Sequence, residues 1–178
     1  MKRATYDEQV KKALEMYEKA SIVLSETEKN SIEVADFGLE RLDALGLQII
    51  TYINTERVCA KEMVLLPHQT CPEHKHVPTN GQEGKEETFR CRYGKCYLYV
   101  EGEGKKDSIE AIIPPTDVTV FHEIVLNPGE QYTIMPETLH WFQAGDEGAV
   151  ISEFSTRSTD ETDVFTDKSL IRQTVIED

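Results

Sequence analysis

His74-Lys75-His76-Val77-Pro78-Thr79-Asn80-Gly81-Gln82-Glu83-Gly84-Lys85-Glu86-Glu87-Thr88-Phe89-Arg90-Cys91-Arg92-Tyr93-Gly94 is the stretch on which the reading of this chain turns. If residues 72–76 form a strand, successive side chains alternate faces, and His74 and His76 project from one side about 7 Å apart as a chelating pair. The segment Val77 to Glu86 has the Pro, Asn-Gly and Gly content of a turn that brings the chain back alongside, so Glu87 arrives on the neighbouring strand as a third ligand. Glu86 is an alternative carboxylate. Glu87 is chosen because six residues separate it from Gly94, a spacing taken up again below.

Further along, Asn127-Pro128-Gly129 reads as a tight turn, and Met135-Pro-Glu-Thr-Leu-His140 supplies the fourth ligand candidate. Three histidines and a glutamate make a mixed nitrogen and oxygen set that suits Mn²⁺, Fe²⁺, Co²⁺ or Ni²⁺, and a six-coordinate ion would keep two positions for substrate or water. Structural zinc is disfavoured, since it favours closed, four-coordinate, cysteine-rich sites, and Zn²⁺ stands behind Mn²⁺ with the other divalent ions.

Outward from the ligands the pattern is one of short strands. Leu47 to Ile53 and Val58 to Leu66 are rich in β-branched and aromatic residues and flank the polar turn Asn54-Thr-Glu-Arg57, which predicts a hairpin. Pro67 to Pro72 predicts a second turn. Further strands are predicted at residues 88–92, 95–101, 118–126, 131–135, 140–144 and 149–155, with an exposed tip at 102–108. Such spacing, punctuated by Gly and Pro, argues for an all-β sandwich or barrel. Before it, Val10, Ala13, Leu14, Tyr17 and Ala20 recur at helical spacing over residues 6–24, and Ser25 or Thr27 would cap a second helix running toward Ala35. The expected organisation is one domain, 1–178: a helical segment 1–40 packing on a β-barrel 45–165, then a polar tail 166–178 that folds back near Ile171.

The chain has 178 residues, 33 acidic against 19 basic, and a net charge of −14, which opposes binding to nucleic acid or anionic membrane. No secretory leader and no apolar run of about 20 residues is read in it, so a cytoplasmic location is expected. Cys59, Cys71, Cys91 and Cys96 form no Cys-x-x-Cys pair and are read as reduced.

The two ligand segments resemble the paired motifs of the cupin superfamily: His74-x-His76, Glu87, six residues and Gly94, then Gly129 through a Pro-containing turn to His140. The loop between His76 and Glu87 is longer than usual there, and Met135 and Glu137 stand where Pro and Gly are common. A narrower resemblance spans roughly residues 35–172. Asp36-Phe-Gly38, Lys61-Glu62, Gln69, Lys85-x-Glu87, His140-Trp-Phe142, Glu153-x-Ser155, Asp160, Asp163 and Phe165 together resemble the D-lyxose isomerase family of cupin-type aldose–ketose isomerases. This resemblance implies a cupin-type, jelly-roll-like barrel with N-terminal helices. It also implies a divalent metal with Mn²⁺ first, a small sugar as substrate, and interconversion of D-lyxose with D-xylulose, or of D-mannose with D-fructose. A homodimer is expected on the same basis.

Such a reaction needs a base to move a proton between C2 and C1 and a metal to hold the two oxygens. Leaning on the family pattern, Glu153 is the first choice for the base: on the strand 149–153 it shares a face with Ile151, where burial would raise its pKa. Lys61 is the opposing acid/base, and the two could exchange roles. Lys85 and Asp163 are expected substrate contacts, and Phe142, on the ligand side of His140, a pocket wall.

Blander readings stand beside these. His68 lies in a turn and is left without a role. His122 shares a face with Val120 and Ile124 and is read as a core histidine. Trp141 is read as core or interface, and Arg90 and Arg92, pointing opposite to Glu87, as a solvated face that argues against a sugar phosphate. The competing functions are a phosphoglucose-isomerase-like cupin, a non-catalytic sugar-binding or regulatory cupin, and an iron dioxygenase. The loop 77–86 is expected to be a mobile rim over the sugar.

Overall fold

The computed structural model describes residues 1–177; Asp178, the last residue of the predicted tail, lies outside them. Chain order is α1 (Arg3–Lys19), α2 (Glu26–Lys29), β1 (Glu33–Ala35), β2 (Leu47–Asn54), β3 (Cys59–Leu65), β4 (Thr70–Lys75), β5 (Glu87–Val100), β6 (His122–Leu126), β7 (Gln131–Ile134), β8 (His140–Ser155) and β9 (Val164–Phe165). All the described strands belong to one antiparallel, curled sheet in the order β1-β2-β3-β8-β4-β9, and β5 joins it to β6, β7 and β8. The all-β, cupin-type expectation is borne out.

The predicted pairs 88–92 with 95–101 and 140–144 with 149–155 are each one long strand, β5 and β8. Both bend where glycines meet. Gly94 has φ +70°, and a Cβ on it would stand 2.0 Å from the Gly148 carbonyl oxygen, so a side chain is excluded there on two counts. The sequence shows the glycines as breaks. Pairing continues across them with register shifts.

Alternation sorts the strands into two faces. The inner face of β2, β3, β5 and β8 carries Leu47, Ile49, Met63, Leu65, Phe89, Cys91, Phe142 and Ile151, all buried in one core. The outer face carries Ile50, Val64 and Val150, and α1 covers them with Ala13, Met16 and Tyr17. The Tyr17 hydroxyl donates to the Glu62 carbonyl at 2.8 Å, fastening helix to sheet. Trp141 lies in a third buried cluster, stacked on Tyr99 at 4.0 Å between ring centroids.

Several expectations are corrected. Helix α1 ends at Lys19, because Ser21 turns left-handed at φ 57°. Ser25 does cap α2, in a reciprocal capping box with Glu28, but that helix is a single turn; residues 33–35, expected as helix, pair with β2 as a strand. Val34 and Ala35 are satisfied better by burial on the sheet edge. His122 is exposed, not core: it opens the edge strand β6, and its Nδ1 lies 2.9 Å from the Glu103 carbonyl oxygen. The tail does fold back. The Ile171 amide donates to the Phe37 carbonyl at 3.0 Å, and Arg3 and Glu177 join tail to α1.

Candidate active site

At one end of the inner face the apolar rows turn polar. Lys61 precedes Met63 on β3, Glu153 follows Ile151 on β8, and Glu87 precedes Phe89 on β5. Strand register places Lys61 opposite Glu153, and His74 opposite His140. The resulting chamber is also lined by His76, Lys85, Asp160, Asp163, Phe142 and Arg172.

The histidine side is prearranged. A ring nitrogen of each of His74, His76 and His140 lies within 4.8 Å of the others, and all three residues are buried. His74 Nδ1 lies 2.8 Å from the Pro72 carbonyl oxygen, and His140 Nδ1 3.0 Å from that of Thr138. A carbonyl can only accept, so these bonds put the proton on Nδ1 and leave the Nε2 lone pair for a ligand bond. His76 lies just past the end of β4, and its Nδ1 is 2.6 Å from Asp163 Oδ1. Glu87 Oε1 stands 3.1 Å from His76 Nε2 and 3.0 Å from His140 Nε2. The His140 contact lies off the hydrogen-bonding direction, so His140 Nε2 is a buried nitrogen with no hydrogen-bond partner. An orphaned lone pair among two further imidazoles and a carboxylate is what a divalent cation would satisfy, and the donor set fits one.

The electrostatics agree. Burial, with help from the neighbouring His140 and His76, holds His74 well below the ordinary imidazole range, so it is neutral. Burial also opposes charge on His76, but the Glu87 and Asp163 carboxylates outweigh it and hold its pKa up to about 9. Burial pushes Asp163 up, against its bond to His76.

The facing side is a cluster of ion pairs. Lys85 Nζ lies 2.7 Å from Glu87, 3.1 Å from Asp160 and 3.2 Å from Glu153. Lys61 Nζ lies 2.6 Å from Asp160, 2.9 Å from the Ser158 hydroxyl and 3.5 Å from Glu153. Burial alone would discharge both lysines. For Lys61, Glu153 and Asp160 more than compensate, and for Lys85, Asp160, Glu153 and Glu87 do so; both stay charged. Burial would likewise raise Glu87 and Asp160, but Lys85 with His76 holds the first, and Lys85 with Lys61 and Arg172 the second, well below the usual carboxylate range.

The loop 77–86 delivers Lys85. Its tip from Pro78 to Glu83 is exposed or half-buried while Gly84 and Lys85 are buried. A Cβ on Gly84 would stand 2.1 Å from the His76 carbonyl oxygen, so only glycine lets the loop close against the first ligand segment.

Of the residues singled out from sequence, His74, His76, Glu87, His140, Lys61, Glu153, Lys85, Asp163 and Phe142 all converge here. Asp163, expected as a substrate contact, lines the chamber and lies 2.6 Å from His76 Nδ1. The sequence does not single out Arg172, and Asp160 only through the family pattern. Arg172 pairs with Glu33 on β1 and, at 3.4 Å, with Asp160. The one usable signal was a basic residue beside Ile171, the apolar anchor of an otherwise polar tail.

A curled, cupin-type half-barrel with three imidazoles that could hold a metal ion, and a carboxylate facing buried lysines, defines the class, an enzyme acting on a polar small molecule. The chain belongs to the D-lyxose isomerase family, whose model matches residues 13–178, and is an isomerase. The D-lyxose/D-mannose isomerase of Thermosediminibacter oceani is 57% identical over 182 residues, covering 100% of this chain and 99% of that one. The D-lyxose ketol-isomerase of Cohnella laeviribosi is 60% identical over 166 residues, covering 92% and 91%. Among solved structures, the L-ribose isomerase of Acinetobacter sp. DL28 superposes with a TM-score of 0.76 at 17% identity, over 99% of this chain and 98% of that one, a likeness of fold.

Proposed function

We propose that this protein interconverts D-lyxose and D-xylulose, and D-mannose and D-fructose, with a divalent metal, Mn²⁺ first, by carrying a proton between C2 and C1 through a cis-enediolate. The observation that carries this is the placement of Glu153 across the chamber from the histidine group, between two charged lysines. The names of the two relatives at 57% and 60% identity point to the same sugars.

His74, His76, Glu87 and His140 would hold the ion, which when bound supplies Lewis acidity and a template for the oxygens on C1 and C2. Glu153 takes the proton from C2 and returns it to C1. The Ser155 hydroxyl donates to its Oε1 at 3.0 Å, the same oxygen that Lys61 and Lys85 approach, and so helps to orient the carboxylate. Lys61 and Lys85, held charged, donate hydrogen bonds to the oxygens as negative charge develops on them. That assigns Lys61 to the acid role and Glu153 to the base, an order the sequence leaves open. Asp163 orients His76, and Phe142 with Phe89 closes the apolar floor that excludes water. A phosphorylated sugar is disfavoured because each of Lys61, Lys85 and Arg172 is already matched by a carboxylate.

The test is metal-stripped protein reloaded with Mn²⁺, Fe²⁺, Co²⁺, Ni²⁺ or Zn²⁺ and assayed for ketose formation from free aldoses. Turnover of lyxose that depends on the added ion supports the reading. Absence of turnover on every free aldose with every ion would remove it.

A further inference from the structure

Behind the lysine side of the chamber lies a second, larger cavity. The inner chamber measures about 30 Å³, room for a water or two and far less than a five-carbon sugar occupies. The outer cavity measures about 480 Å³ and is bounded by β2, the segment 158–161 and the C-terminal tail. Lys61, Asp160 and Arg172 line both, so the two spaces share one wall.

That wall has a weak seam. Asp160 holds Lys61 at 2.6 Å and Lys85 at 3.1 Å, whereas Arg172 stands 3.4 Å away, the longest of the three contacts. Arg172 also has its own carboxylate in Glu33. Parting Arg172 from Asp160 therefore breaks only the longest contact and leaves every charge paired, whereas parting Asp160 from the lysines breaks two shorter ones. Beyond the seam the lining offers Thr51, Asn54, Ser158, Gln173 and Thr174, hydroxyl and amide groups rather than unmatched cations, which suits a neutral polyhydroxylated chain. Thr51 pairs with Lys61 across β2 and β3, so the two side chains share a face.

We infer that the outer cavity is the subsite for the end of an open-chain sugar remote from its reacting carbons, reached across the Asp160–Arg172 seam, and that the cavity wall at Thr51 reads chain length. The inference rests on the isomerase reading for which end of the sugar faces the histidines. A six-carbon chain reaches further into the cavity than a five-carbon one by a hydroxymethyl group, so filling the cavity penalises the longer chain more.

The experiment uses full-length, Mn²⁺-loaded protein and two unreactive probes, mannitol and arabinitol, with dissociation constants measured by calorimetry. Thr51 is exposed on a strand, where Phe is well tolerated. Thr51→Phe is expected to weaken mannitol at least tenfold and arabinitol threefold or less, with Thr51→Ala changing neither by more than threefold. Gln173→Phe, on the tail segment that also lines the cavity, should give the same ranking. Equal effects of Thr51→Phe on both probes, no effect on either, or no alditol binding by the wild type would overturn the subsite. Thr51-sensitive alditol binding by a wild type that turns over no aldose would keep the subsite and remove the isomerase reading alone.

Discussion

The two sides of the chamber are built by different means. On the histidine side, His74, His76, Glu87 and His140 come from the ends of β4, β5 and β8, and backbone carbonyls or Asp163 fix the rings. On the lysine side, Lys61 and Glu153 come from paired strands, but Lys85 comes from a loop, Asp160 from a single 3-10 turn and Arg172 from the tail. The first is held by local backbone geometry, the second by charge matching among groups far apart in sequence. Ligands to a metal need fixed nitrogen lone pairs; a proton-transfer site needs charges that can exchange partners when substrate arrives. The difference predicts that damage on the histidine side is read in metal content, and damage on the lysine side in turnover with metal retained.

The largest effect is expected from His74→Ala or His140→Ala. Either should leave the protein substoichiometric in metal by elemental analysis and lower kcat/KM by about 10³-fold or more, several kcal/mol at about 1.36 kcal/mol per tenfold. Full metal retention would break the contrast. Next, Glu153→Gln should lower kcat by about 10²- to 10⁴-fold, the range of general acid–base catalysis, with metal content unchanged. Metal loss in this variant would merge the two sides. Asp163→Asn is expected to be milder, weakening metal affinity about 10- to 100-fold through the orientation of His76.

The same histidine sets a pH dependence. His76 is held protonated up to about pH 9 in the metal-free protein, and a ligand nitrogen must be deprotonated. Affinity should therefore rise with pH below about 9, and calorimetry in buffers of different ionisation enthalpy at pH 7 should report release of about one proton; uptake or no release would contradict this. The smallest effect is expected just across the sheet. Glu62 neighbours Lys61 but faces outward, where it accepts from Ser152 Oγ at 2.7 Å and burial pushes its pKa up. Glu62→Gln keeps that acceptor and should leave kcat unaltered, with a stability change of about 1 kcal/mol or less in a denaturant titration.

How much of this was legible follows the same division. Alternation put His74 and His76 on one face and Glu153 with Ile151, the family pattern singled out Glu153 and Lys61, and turn chemistry and motif spacing placed Glu87 and His140 beside the histidines. Spacing could not find Arg172, because nothing local fixes where a tail residue docks; only the Ile171 anchor and the Glu33 pairing do. Residues 33–35 were misread because three residues next to a capped turn carry too little periodicity to separate strand from helix, and pairing with β2 decides the matter. His122 was misplaced because alternation assigns a face but not whether that face is covered. Glu137, at the position where glycine is common, keeps the left-handed φ of 63° that glycine would adopt, so the turn before His140 survives the substitution.

Proton transfer by Glu153, rather than a hydride passing between the carbons, predicts exchange with solvent. Mn²⁺-loaded protein held with lyxose and xylulose at equilibrium in D₂O over many turnovers should accumulate deuterium at C2 of the aldose and C1 of the ketose, read by NMR. A pool that stays fully protiated at both carbons while the sugars continue to interconvert would contradict it.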